Sequence, residues 1–154
     1  MAPADLHLTV AFLGPVEEAA AFAAFEIAAG YKPAALGVRL DVVIPLGNPR
    51  RPSALGAGLG EGKEKAIALL SQLRDPLADA AGARRETRPP LPHVTLARPA
   101  RRARPEERSA AVQWAQALDL GAPRVSLEQL ALYTWAEDRS GPRKFRIVRA
   151  VALR

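Results

Sequence analysis

"LHLTV" occupies residues 6–10 and "PHVTL" residues 92–96, so the chain's two histidines, His7 and His93, each stand two places before a threonine. In an extended chain, residues i and i+2 share a face and lie about 6–7 Å apart. His7 would therefore point the same way as Thr9, and His93 the same way as Thr95. With 4 threonines in 154 positions, the chance that both histidines carry one at i+2 is about 1 in 1,500. One His-x-Thr alone reads as an ordinary strand-edge histidine; two ask for a common explanation.

The pattern around the first motif, LHLTVAF, puts Leu6, Leu8 and Val10 on one face and His7, Thr9 and Ala11 on the other. This alternation predicts a strand over 6–12. Pro15, then Glu17 and Glu18, open a predicted helix over about 15–29 whose Phe22, Phe25 and Ala29 recur at helical spacing up to Gly30. GVRLDVVIPL at 37–46 reads as a strand with Val38, Leu40, Val42, Ile44 and Leu46 on one face, followed by the turn-rich GNPRRPS. A short strand near 53–58 and a helix over 62–81 complete the first half, and the prolines of RRETRPPLP, 84–92, forbid a continuing helix.

From the second motif the order recurs: a strand over 92–98, a helix opened by Pro105-Glu106-Glu107, and strands over 123–134 and 144–153. Ala111, Trp114, Ala115 and Leu118 share a face of that helix, which predicts a core position for Trp114. The interval from histidine to the next strand's first core valine is 31 residues from His7 to Val38 and 32 from His93 to Val125. This agreement predicts one domain over 1–154 built on an internal repeat, about 1–82 and 88–154. The fold class is α+β, with antiparallel sheets and packed helices.

Apolar residues make up 49% and charged residues 25%, the balance of a chain that builds its own core. Without cysteine, disulfides, thiolate ligands and thiol nucleophiles are excluded. Two histidines without a ligand-spaced carboxylate do not suggest a metal site. The glycine run GAGLGEGKEK lacks a phosphate-loop pattern, because Ala57 and Glu64 stand where Gly and Ser or Thr are required. The start, Met1 to Asp5, carries an acid where a secretory leader is basic, and the apolar stretches are too short to span a bilayer. A cytoplasmic protein is expected. Residues 1–77 hold 7 basic and 8 acidic side chains and residues 78–154 hold 15 and 8, so the halves carry −1 and +7. The excess favours a polyanionic partner such as RNA or a phosphorylated small molecule.

Each His-x-Thr supplies a proton-transfer group and a neutral hydrogen-bond donor. Two of them facing each other suit in-line displacement at phosphorus, where one proton leaves the attacking water as another reaches the departing oxygen. Their chemical symmetry leaves open which histidine is acid and which is base. Three further features are weaker. Arg98 is, by parity, on the face opposite His93 and Thr95. Arg50 and Arg51 lie in a turn where a guanidinium could meet a phosphate. Tyr133 and Trp135 end a strand where an aromatic could stack on a base, although core packing is the preferred reading.

The stretches ADLHLTVAFLG (4–14), GNPRRPSALGAG (47–58) and RPPLPHVTLAR (88–98), with LYTW and GPRKF near the C-terminus, cover essentially the whole chain. Together they resemble the 2H phosphoesterases, and within them the RNA 2′,3′-cyclic phosphodiesterases, also called 2′-5′ RNA ligases. The resemblance implies two pseudo-symmetric α+β lobes with the motifs lining an active-site cleft between them. It makes His7 the proton donor to the leaving ribose oxygen and His93 the acceptor that activates water. Thr9 and Thr95 would hold the non-bridging phosphate oxygens, and Arg98 would bind substrate.

The implied partners are RNA with 2′,3′-cyclic phosphate ends or cyclic nucleotides, the product is a 2′-phosphate, and reversible 2′-5′ ligation is a further implied activity. No cofactor or metal is called for. The alternatives are a non-catalytic RNA-end binding module, or a relative acting on 2′-5′ oligonucleotides or a small cyclic-phosphate metabolite. The family pattern also has a strand and a helix ahead of its first motif, where this sequence has six residues before His7. That difference predicts an uncovered sheet edge and a partly opened core.

Overall fold

The computed structural model describes residues 3–48, 51–100, 102–138 and 143–154. After a single 3-10 turn at Pro3–Asp5 and an extended segment, the order is α1 (Glu18–Gly30), β1 (Leu36–Asn48), β2 (Arg51–Leu59) and α2 (Lys63–Ala80). It continues with β3 (His93–Ala97), α3 (Pro105–Ala117), β4 (Arg124–Leu127), β5 (Gln129–Trp135) and β6 (Phe145–Ala152). The fold is α+β, as the sequence predicts. One sheet has four strands in the order β3-β2-β1-β4, the other pairs β5 with β6, and every named pairing is antiparallel. The larger sheet draws strands from both halves of the chain. Among the described residues, no helix is long and apolar enough to cross a membrane.

Four predicted features differ. Residues 6–12 form no regular strand; their ladder contact is one antiparallel bridge, Leu8 to Val94. The alternation still holds in part, since Leu8 and Val10 pack against core clusters while Leu6 is 45% exposed. In β1, strict alternation fails at a bulge: Leu40 pairs with Leu59 but Val43 with Ala57, so one extra residue is inserted. The insertion reverses the facing of the chain, which buries Val43 and leaves Val42 exposed. The strand predicted over 123–134 breaks at Glu128: β4 joins β1, while β5 joins β6. Trp114, expected in the core, is 65% exposed. α3 packs through Ala111, Val112 and Ala115, a narrow small-residue stripe, and Trp114 stands about 100° around the helix from Ala115.

Three apolar clusters hold these elements together. Ala24 and Ala28 of α1 meet Leu73 and Leu77 of α2. Ala66 of α2 packs on Val38 and Leu59, with Leu8 against them. Val43 and Leu55 receive α3 through Ala115. A cavity of about 370 Å³ lies between the 6–13 segment, α1, α2 and the β5–β6 sheet, with Leu8, Phe25, Leu70, Leu73, Leu130 and Leu132 in its walls.

Arg108 of α3 is buried, and its guanidinium donates to the carbonyls of Ala103, Pro52 and Ala100 at 3.2, 3.2 and 3.1 Å. It thereby ties the loop after β3 to the start of β2. Arg108→Met removes three donors from main-chain acceptors, and a loss of about 2 kcal/mol is expected. Urea unfolding at unchanged m-value measures it.

Candidate functional site

The Leu8–Val94 bridge sets the two motifs side by side and antiparallel. By that register His7 lies across from Thr95 and Thr9 across from His93, so the four side chains share one face while Leu8 and Val94 turn to the other. Val94 is buried and Leu8 packs against the Val38–Leu59–Ala66 cluster, which pins the opposite face. The site thus lies at the outer edge of β3 and faces the β5–β6 sheet.

Both histidines are held in the same way. His7 Nδ1 donates to the carbonyl of Asp5 at 2.7 Å, and His93 Nδ1 to the carbonyl of Leu91 at 2.7 Å, each two residues back. A carbonyl can only accept, so Nδ1 carries the proton and Nε2 is left as the nitrogen that gains or gives one. His93 rests over β2 because Gly56, paired with Thr95, has no side chain. A Cβ there would stand 3.2 Å from His93 Cδ2, 3.0 Å from Leu46 Cδ1 and 3.3 Å from the Val94 carbonyl.

His7 rests on Asp5, whose carboxylate is buried and accepts from the Lys144 amide at 2.8 Å. Arg143 Nε lies 3.8 Å from its other oxygen. Asp5 therefore anchors the histidine to the start of β6.

The environments of the two imidazoles differ. Tyr133 of β5 brings its hydroxyl 2.5 Å from His7 Nε2 and 3.4 Å from Thr9 Oγ1. Its ring packs on His7, with centroids 4.5 Å apart, and on Phe145 at 5.0 Å. Burial pushes the Tyr133 phenol above its ordinary pKa, against smaller opposing effects of the Thr9 hydrogen bond and the Arg98 charge.

The Tyr133 ring is thus packed, as the sequence predicts, while its hydroxyl reaches His7, a contact the sequence reading does not give. The available signal was its place in LYTW, one of the stretches that carry the family resemblance. Trp135 is 51% exposed and stacks on Phe145 with centroids 5.1 Å apart.

Arg98 follows the last residue of β3, Ala97, so strand parity no longer governs it, and its charge reaches the Tyr133 hydroxyl. Arg51 stands exposed at the first residue of β2, and Arg50 lies outside the described residues. The glycine run has a structural explanation: Gly62, at φ +82°, precedes α2 where a Cβ would meet the Gly37 carbonyl at 2.5 Å. Among the described residues, no three His, Asp or Glu side chains gather into a group that could hold a metal ion.

No protein-family model and no curated protein matches the chain. Solved structures do match its fold. A crystal structure of a phosphoesterase is 24% identical with a TM-score of 0.69, over 97% of this chain and 77% of its own. E. coli LigT complexed with 3′-AMP is 24% identical with a TM-score of 0.70, over 99% and 79%. A protein of Thermus thermophilus is 22% identical with a TM-score of 0.65, over 99% and 80%. The fold is therefore shared with a phosphoesterase and with E. coli LigT. Within it, the chain is similar to E. coli LigT in the arrangement of its helices and curled antiparallel sheets.

Gly56→Ala forces the His93 ring to give by a few tenths of an ångström. In a side-chain ¹⁵N spectrum, which holds only two histidines, the His93 signals are expected to move while those of His7 stay. The strain is expected to cost about 1–3 kcal/mol of stability.

Proposed function

We propose that the chain is a 2H phosphoesterase that hydrolyses 2′,3′-cyclic phosphodiester ends of RNA to 2′-phosphomonoesters. The site works within one bilobal domain whose halves, about 1–82 and 88–154, repeat. The observation that carries this reading is the antiparallel apposition of the two His-x-Thr motifs around Leu8 and Val94, with each Nδ1 committed to a carbonyl. The fold likeness supports it, and LigT has been crystallised with 3′-AMP and with phosphate. The net +7 of residues 78–154 suits an RNA end.

In the proposed reaction, a water oxygen attacks phosphorus while His93 Nε2 takes its proton. The bond from phosphorus to the ribose 3′ oxygen breaks in line, and a proton from the His7 side reaches that oxygen. Thr9 and Thr95 hold the non-bridging oxygens, and Arg98 offsets their charge. The ring strain of the five-membered cyclic ester helps the bond to break. The same steps with a 5′-hydroxyl in place of water give 2′-5′ ligation, and their reversal cleaves that linkage.

On a 2′,3′-cyclic nucleotide, turnover is expected to persist in EDTA and to fall about 10²–10⁴-fold in both His7→Ala and His93→Ala. Turnover that survives both substitutions, or stops with the chelator, overturns the reading. Tight binding of the RNA end by a wild type that turns nothing over identifies a binding module instead. Thr9→Val and Thr95→Val are expected to lower kcat/KM about 10-fold to 100-fold each, since each removes one donor to a charged oxygen.

A further inference from the structure

We propose that Tyr133 is a catalytic residue that hands the proton of His7 to the departing oxygen, an inference that rests on the phosphodiesterase reading of the same site. His7 has two ring nitrogens and both are engaged. Nδ1 donates to the Asp5 carbonyl at 2.7 Å, and Nε2 faces the Tyr133 hydroxyl at 2.5 Å. A proton can pass between His7 and a substrate only through that hydroxyl or after its removal. His93 is different: among the described residues its hydrogen bond is the one from Nδ1 to Leu91.

Removal is opposed by how the ring is held. Tyr133 lies edge-on to Phe145 with centroids 5.0 Å apart and tilted against His7 at 4.5 Å, and Phe145 meets His7 at 5.2 Å in a T-shape. The three rings support one another, and swinging the phenol out would break two of these contacts. A register shift between Leu132 and Tyr133 lies at the point where β5 presents the ring. Bulges of this kind re-aim a side chain next to a site.

The hydroxyl also suits the task chemically. It has one proton and two lone pairs, so it can accept from a protonated imidazole and donate onward at once. Burial holds the phenol above its ordinary range, so it keeps its proton at working pH. On the other side Thr9 Oγ1 is 3.4 Å away, which puts the hydroxyl beside the oxygens that Thr9 would hold.

The step balances. As the bond from phosphorus to the ribose 3′ oxygen breaks, the Tyr133 O–H proton passes to that oxygen. The imidazolium Nε2–H proton passes to the tyrosine oxygen in the same event. Tyr133 ends neutral, His7 ends neutral with Nδ1 still protonated, and His93 holds the proton taken from water. Solvent returns the protons between turnovers.

The test is Tyr133→Phe, which keeps the ring and loses the hydroxyl, assayed on a 2′,3′-cyclic nucleotide from about pH 5 to 9. An acid must be protonated to act, so its loss of protons sets the fall in rate at high pH; the base sets the fall at low pH. Tyr133→Phe is expected to lose about 10²–10⁴-fold in kcat with little change in KM, and to lose the alkaline fall while keeping the acidic one. The double variant with His7→Ala should be no slower than the slower single variant, because the two groups act as one.

A Tyr133→Phe protein as fast as wild type, or faster, overturns the proposal, since the hydroxyl would then merely block His7. A slow variant with both limbs intact overturns it too, by showing a structural role. If the variant does not fold, 3-fluorotyrosine at 133 decides: its more acidic hydroxyl shifts the alkaline limb if the relay operates and leaves it in place if not. Wild type without turnover overturns the phosphodiesterase reading and this proposal with it, whereas an active wild type with an unaffected Tyr133→Phe overturns this proposal alone.

Discussion

The site depends on one short contact, the antiparallel bridge between Leu8 and Val94. β3 is the outer strand of the four-stranded sheet, with one edge paired to β2 and the other facing the N-terminal segment. Leu8 is drawn against Val38, Leu59 and Ala66, which turns that segment so that His7 and Thr9 point outward. Val94, buried on the same side as Leu8, does the same for His93 and Thr95. The cleft chemistry therefore rests on an apolar pair pointing the other way: period-2 alternation puts the packing of two aliphatic residues behind four polar ones.

The motifs are near copies in sequence and unequal in structure. His93 sits on a continuous ladder, flanked by β2 and resting over a glycine that lets two backbones approach. His7 sits on a segment without a ladder and is steadied by other means: the Asp5 carbonyl, the Asp5 carboxylate on the Lys144 amide, and a ring cluster from β5 and β6. Two groups with the same intrinsic chemistry acquire different tasks when their surroundings differ. Here the difference is a phenol on one imidazole and an open approach to the other. The symmetry of the two motifs in the sequence is broken in their surroundings by residues more than a hundred positions away from His7.

Much of this was legible in the residues, and the failures have physical causes. The paired His-x-Thr frames, the three helices and the α+β class followed from periodicity and from Pro and Gly punctuation. Local pattern carries that information. The bulge in β1, by contrast, is invisible to alternation because Asp41-Val42-Val43 can satisfy either facing, and only the pairing with β2 selects one. The break at Glu128 had no turn residue to announce it, since that single residue separates β4 in one sheet from β5 in the other. Trp114 misled because a helical stripe of alanines can be completed by a large neighbour on paper but not in a tight contact. Tyr133 reads in the sequence as a strand-end aromatic, and no local rule reveals that its hydroxyl meets a histidine in the opening residues. Such contacts are set by tertiary packing.

Arg98 shows how the end of an element changes what a side chain can reach. As a strand residue it would face away from His93. β3 stops at Ala97, and the next stretch is held from below by Arg108, whose guanidinium reaches the carbonyls of Ala100, Ala103 and Pro52. Freed from the pleat, Arg98 acts electrostatically on Tyr133, on the opposite wall of the site. A cation there opposes, as the smallest of the effects at that hydroxyl, the burial that raises the phenol. The positive charge that composition assigns only to a half of the chain is thus brought, through the end of one strand and one buried arginine, to the group that lies against His7.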